Sequence, residues 1–123
     1  MATITLFDKI HWVTLQAEGV LAKCDLIDAV ERFYPQLADR YIIWDLSNVS
    51  LNELTEDDLI FLARYFRPQS QRRTGSRTAV VSAGDAMFVQ ACIYTAVAML
   101  EEIAVDYFVF RTLAEAEEWM MRS

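Results

Sequence analysis

Glycine and proline are scarce: the 123-residue chain has 3 of one and 2 of the other. With 54% apolar residues besides, it is neither a disordered tail nor a low-complexity linker, and it is expected to pack as one domain over residues 1–123. Histidine is limited to His11, and the two cysteines, Cys24 and Cys92, stand apart with no CxxC pair. No His/Cys/Asp/Glu spacing suits a metal, so none is expected, and the thiols read as a reduced, cytosolic pair. No apolar run reaches the roughly 20 residues that a membrane-spanning helix needs. The stretch "AMFVQACIYTAVAML" comes nearest. The start, "MATITLFDKIHW", lacks the basic end, apolar run and small-residue cleavage site of a signal peptide, which points to the cytoplasm.

Positive charge is also in short supply. Eleven Lys and Arg against 18 Asp and Glu give a net charge of −7, which argues against a nucleic-acid partner. Five of those basic residues (Arg64, Arg67, Arg72, Arg73, Arg77) nevertheless fall in a stretch that has no acidic residue. Such a run reads as a solvated loop, with a phosphate-binding patch as the alternative. A glycine-rich phosphate loop is missing too: "VSAGDA" has neither the glycine run nor the lysine, so no nucleotide and no other cofactor is expected.

What is present is alternation. Two strands, Thr3–Phe7 and His11–Ala17, are joined by a turn at Asp8-Lys9, short enough to force antiparallel pairing. In the second, Trp12, Thr14 and Gln16 share one face and Val13, Leu15 and Ala17 the other. Asp25 is placed to cap a helix with Asp28 in its first turn, and Leu26, Val30, Phe33 and Leu37 form its apolar stripe until Pro35 kinks or ends it. "RYIIWDL" and "RTAVVSA" are apolar on both faces, as strands covered on two sides are. Helices start at Thr55, Asp85 and Thr112, the last with Glu115 three residues on, and "VDYFVF" is the final strand. This order predicts an α/β fold: a mixed, largely parallel sheet with an antiparallel N-terminal strand pair and four helices.

"YIIWDLSNVSLNELTEDDLIFLARYF", "RTAVVSAGDAMF" and "YFVFRTLAEAEEWM", in this order and spacing, resemble the SpoIIAA-like family of the STAS-domain superfamily. The likeness spans nearly the whole chain and rests on strand and helix punctuation. It implies a small α/β domain of a largely non-enzymatic group that includes anti-sigma-factor antagonists and is compared with the lipid-carrying SEC14 fold. In the antagonists a strand ending "DLS" leads to a loop bearing Asp-Ser-Ser-Gly, whose second serine is phosphorylated. Laid on this chain, that motif falls on Glu53, Leu54, Thr55 and Glu56, so Thr55 is the candidate phosphoacceptor. Thr55 also forms a capping pair with Asp58, and a phosphoryl group there would sit beside Glu56, Asp57 and Asp58. The cap is the favoured reading, and an antagonist switch at Thr55 is the alternative function.

The helices carry more apolar surface than a core requires. Over 85–102, Phe88, Val89, Cys92, Ile93, Ala96, Val97, Met99 and Leu100 span an arc of about 180°, against roughly 100° for an ordinary surface helix, and Gln90, Tyr94 and Glu101 form a narrower polar stripe. Over 55–67, Leu59, Leu62, Ala63 and Phe66 form the core stripe, and Phe61 and Tyr65 lie together on the far side. Phe61, Tyr65, Phe88, Cys92 and Met99 are therefore the candidate binding residues. The expected role is a non-catalytic regulatory or binding module. Its contacts would be a second copy, a regulatory protein, an apolar or lipid-like small molecule, or a peripheral membrane surface. No nucleophile–base pair is apparent: His11 is far in sequence from any candidate nucleophile, Asp45 reads as structural, and Trp12, Trp44 and Trp119 read as core.

Overall fold

The computed structural model describes residues 2–101 and 105–122, with the side chains of Leu51 and Ser70 left aside. Met1 and the expected helix end at 102 lie outside that range. Five strands run β1 (Ala2–Asp8), β2 (Trp12–Leu21), β3 (Tyr41–Asn52), β4 (Arg77–Val81) and β5 (Asp106–Phe110). The helices are α1 (Lys23–Phe33), α2 (Glu56–Tyr65), α3 (Arg67–Gln71), α4 (Asp85–Leu100) and α5 (Leu113–Met120). The sheet follows sequence order; β1 is antiparallel to β2 and all other pairs are parallel. The expected mixed sheet is found, with five helices in place of four: the short α3 carries Pro68 in its first turn, where the missing N–H costs nothing.

The strand alternation sorts two cores. Val13, Leu15, Ile42, Trp44 and Val80 point to the side covered by α1, α2 and α4. Trp12, Ile43, Ala79 and Val81 point to the other side, where α5 contributes Ala116 and Met120. Between them these residues bury both faces of the central strands, as their unbroken apolar sequences require.

Four local expectations are corrected. His11 is not in a strand but exposed in the turn before β2. β2 continues past Ala17 to Leu21, because Gly19 adopts φ 96° at a register shift that carries the strand on. The polar segment after Leu46 is strand as well: β3 runs to Asn52, and Leu21 pairs with Asn52. β4 accompanies β3 only as far as Asp45, so the rest of β3 is paired on one side and tolerates exposed polar residues. Asp25 is not the cap of α1. Ala22 is, and Asp25 in the first turn accepts bonds from the N–H groups of Ala22 (2.9 Å) and Ala2 (3.3 Å), while Asp28 falls in the second turn.

The cap of α2 is as expected. Asp58 N–H donates to Thr55 Oγ1 at 3.1 Å, and Thr55 N–H to the Asp58 carboxylate at 3.0 Å. After Pro35 enters, α1 closes in a 3₁₀ turn, Tyr34–Gln36.

Candidate functional site

Between the sheet and helices α1, α2 and α4 lies a cavity of about 770 Å³, counting the part open to solvent. Its floor is Trp44 and Leu46 of β3, Thr78 and Val80 of β4, and Tyr107 of β5. Its roof is Leu59, Leu62 and Phe66 from the α2 segment and Met87, Ala91 and Tyr94 from α4. The helices of the expected binding region therefore do cover this space, but with different faces from those proposed for it.

The apolar arc of α4 faces away from the cavity. Val89 is 56% exposed, Met99 70% and Leu100 83%, and Cys92 is exposed as well. Phe88 is half-buried, with the Arg111 guanidinium 4.0 Å from its ring centre. Inward come the small Ala91 and Ala98, with Gln90 and Tyr94 of the polar stripe. Gln90 is satisfied there: its amide donates to Leu54 O at 2.9 Å and its oxygen accepts from Asn52. On α2, Leu59, Leu62, Ala63 and Phe66 are buried as expected, and Phe61 and Tyr65 stack outside at 5.6 Å. Lys23 sits 4.5 Å from the Phe61 ring, and the Tyr65 hydroxyl donates to Glu31. Of the two methionines on α4, Met87 lines the cavity and Met99 does not.

One end of the cavity is polar. Trp44 Nε1 donates to the Tyr34 hydroxyl at 2.9 Å inside the core. Arg73 is 2% exposed and donates to Thr78 Oγ1 and Ser76 Oγ, each at 3.0 Å, and to the carbonyls of Arg40 and Arg77. Its guanidinium also lies 5.2 Å from the Tyr34 ring centre. Burial raises the Tyr34 phenol, with Arg73 opposing the shift, and burial raises that of Tyr94 much further.

The basic stretch 64–77 is thus not one patch. Arg64 and Arg67 pair with Glu101 (3.0 and 3.9 Å), Arg77 donates to the carbonyls of Trp119 and Arg122, and Arg73 is interior. The reading as a solvated loop fails for Arg73, since neutral oxygens of the adjoining turn and strand surround it. No pattern in "RRTGSRT" marks which arginine turns inward.

The carboxyl-terminal edge of the parallel strands is occupied by protein contacts. Arg111 pairs with Asp85 at 2.6 Å, and Ser82 is fully buried. Asp45 is buried and accepts from the Ser47 N–H and hydroxyl, a structural use. Among the described residues no cluster of three or more His, Cys, Asp or Glu could hold a metal, and no helix is long and apolar enough to cross a membrane.

No family model matches this sequence, and no curated protein does. Its structure is similar to that of an uncharacterised DUF3478-family protein with a SpoIIAA-like fold from Shewanella loihica PV-4. The match has a TM-score of 0.59 at 13% identity and covers 97% of this chain and 93% of the other. The chain therefore has a SpoIIAA-like fold.

Proposed function

We propose that this SpoIIAA-like chain is a non-catalytic binding module that encloses an apolar small molecule between its sheet and helices α1, α2 and α4. One observation carries the reading: a cavity, walled mainly by aliphatic and aromatic side chains, with about 90 Å³ of space open to the centre of a water-sized sphere. Protein interiors are close-packed, with few voids larger than a water molecule, so an apolar space several times that size suits a small apolar ligand. Asn52 and Gln90 also line it, and their hydrogen bonds to each other and to Leu54 fix the end of β3 against α4.

Titration with Nile red, a neutral apolar dye whose emission rises on leaving water, tests the proposal. The parent chain should enhance the dye. Ala91→Phe, which pushes a ring into the cavity from α4, should abolish the enhancement while the fold persists by circular dichroism. Equal enhancement by both proteins would place the dye elsewhere and end the proposal. Native mass spectrometry of the protein as purified would add the mass of any retained compound.

A second reading rests on the outward face of α4. Val89, Met99 and Leu100 are exposed on one side of a single helix, and burying each of them against a partner would contribute about 1.5–3 kcal/mol. That face suits a second copy of the chain or a regulatory protein, and sedimentation over a range of concentrations separates a self-associating chain from a monomer.

A further inference from the structure

The polar end of the cavity has an unusual balance of donors and acceptors. Tyr34 and Thr78 both line the space, and each hydroxyl already accepts from a group that can only donate: the Trp44 indole N–H at 2.9 Å, and the Arg73 guanidinium at 3.0 Å. In both bonds the hydroxyl oxygen is the acceptor, so each hydroxyl keeps a proton of its own to donate.

Behind them is a buried charge that meets no carboxylate among the described residues. Arginine stays protonated in proteins, and a buried cation is costly unless it is paired. The partners of Arg73 among the described residues are all neutral oxygens: Thr78 Oγ1, Ser76 Oγ, and the carbonyls of Arg40 and Arg77. Its Nε has no partner among the described residues. The Thr78 hydroxyl accepts from this guanidinium, and the Tyr34 ring centre lies 5.2 Å from it.

We propose that this end of the cavity recognises the carboxylate of an otherwise apolar monocarboxylic acid, with Tyr34 and Thr78 donating to its oxygens and Arg73 balancing its charge from behind. The inference deepens the reading of the cavity as a binding site and rests on it. The chemistry discriminates between head groups. An ammonium would bring a second cation to donors that cannot receive it. An alcohol or ester offers an acceptor but no charge to set against Arg73. A carboxylate offers both, with two oxygens for two donors, and its apolar body matches the apolar lining of the remaining wall.

The test displaces bound Nile red with dodecanoate, methyl dodecanoate and dodecyltrimethylammonium at neutral pH. Dodecanoate should bind at least about 10-fold more tightly than the ester, the size expected of charge-assisted hydrogen bonds, and the cation most weakly. Tyr34→Phe and Thr78→Val should each narrow the acid-to-ester ratio by about 3-fold or more, with the dye still bound. The ligand comparison on the parent chain needs no variant, so a misfolded substitution leaves it intact. Equal affinities for acid and ester, with the dye bound, would overturn this inference and leave the cavity reading standing. Failure of the dye and all three compounds to bind would overturn both.

Discussion

The indole N–H of Trp44, in the middle of the central strand, donates to the phenol oxygen of Tyr34, the residue just after α1, at 2.9 Å. The bond joins the sheet to the turn where Pro35 ends the helix, and both residues are 8% exposed. Their rings are 6.4 Å apart, so the contact combines packing with a polar tie.

Tyr34→Phe preserves the ring, its packing and its contact with Arg73, but strips the acceptor from a buried donor. An indole N–H left without a partner should cost about 1–3 kcal/mol. Urea unfolding followed by fluorescence measures it. A loss no larger than that of a neutral surface substitution would mean that the indole finds another acceptor.

The phenols make a separate prediction. Burial lifts the Tyr34 ionisation above the ordinary 10.0, and that of Tyr94 well above it. Tyr65 is raised too, chiefly by its hydrogen bond to Glu31. In the unfolded chain these groups return to about 10 and release their protons first, so folding stability is intact below that pH and falls as pH rises through the folded values. An absorbance titration of tyrosinate should show fewer than the full set of 5 tyrosines ionising near 10, with the remainder appearing together with loss of the fold. Simultaneous ionisation of all of them in a chain still folded would refute the burial described for Tyr34 and Tyr94.

Much of the fold could be read from the sequence because period and punctuation agree. "RYIIWDL" and "RTAVV" are apolar on both faces and became interior strands, and Thr55-x-x-Asp58 became a reciprocal cap. The extended second halves of β2 and β3 were hidden, since Glu18, Gly19, Ser47 and Asn48 break the apolar pattern where β4 no longer flanks β3 and β2 lies between β3 and the edge strand β1. The cavity was hidden for a different reason. α4 is apolar nearly all round, so periodicity gives no sign to its faces. Ala91 and Ala98 turn inward because small residues allow close approach to α2 and the sheet, which leaves Met99 and Leu100 outside. Arg73 could not be singled out among its basic neighbours at all, because its burial depends on carbonyls that only the folded turn brings together.

Thr55 separates a cap from a switch. Its hydroxyl accepts from Asp58 N–H, and its own N–H donates to the Asp58 carboxylate. Thr55→Ala should therefore cost about 1 kcal/mol in urea unfolding, and Thr55→Ser should recover most of it. The same hydroxyl lies within a first turn carrying Glu56, Asp57 and Asp58, where a phosphoryl group would meet repulsion. Incubation with candidate kinases followed by mass spectrometry should leave Thr55 unmodified. A stoichiometric phosphate there would restore the antagonist reading.

The outward face of α4 gives the last prediction. Met99 and Leu100 are 70% and 83% exposed near the C-terminal end of a helix whose inner side is already packed. Met99→Lys with Leu100→Gln removes apolar surface that contributes nothing to the core, so the stability of an isolated chain should change by no more than about 0.5 kcal/mol. A lysine in the last turn is also favourably placed against the helix dipole. If this face joins two copies, the double variant should sediment as a monomer at concentrations where the parent chain is a dimer, and its unfolding midpoint should lose the dependence on protein concentration that a dimer shows. A parent chain that stays monomeric up to high concentration would remove self-association through α4. A double variant that unfolds much more easily than the parent while both are monomeric would mean that these two side chains are packed against the domain itself.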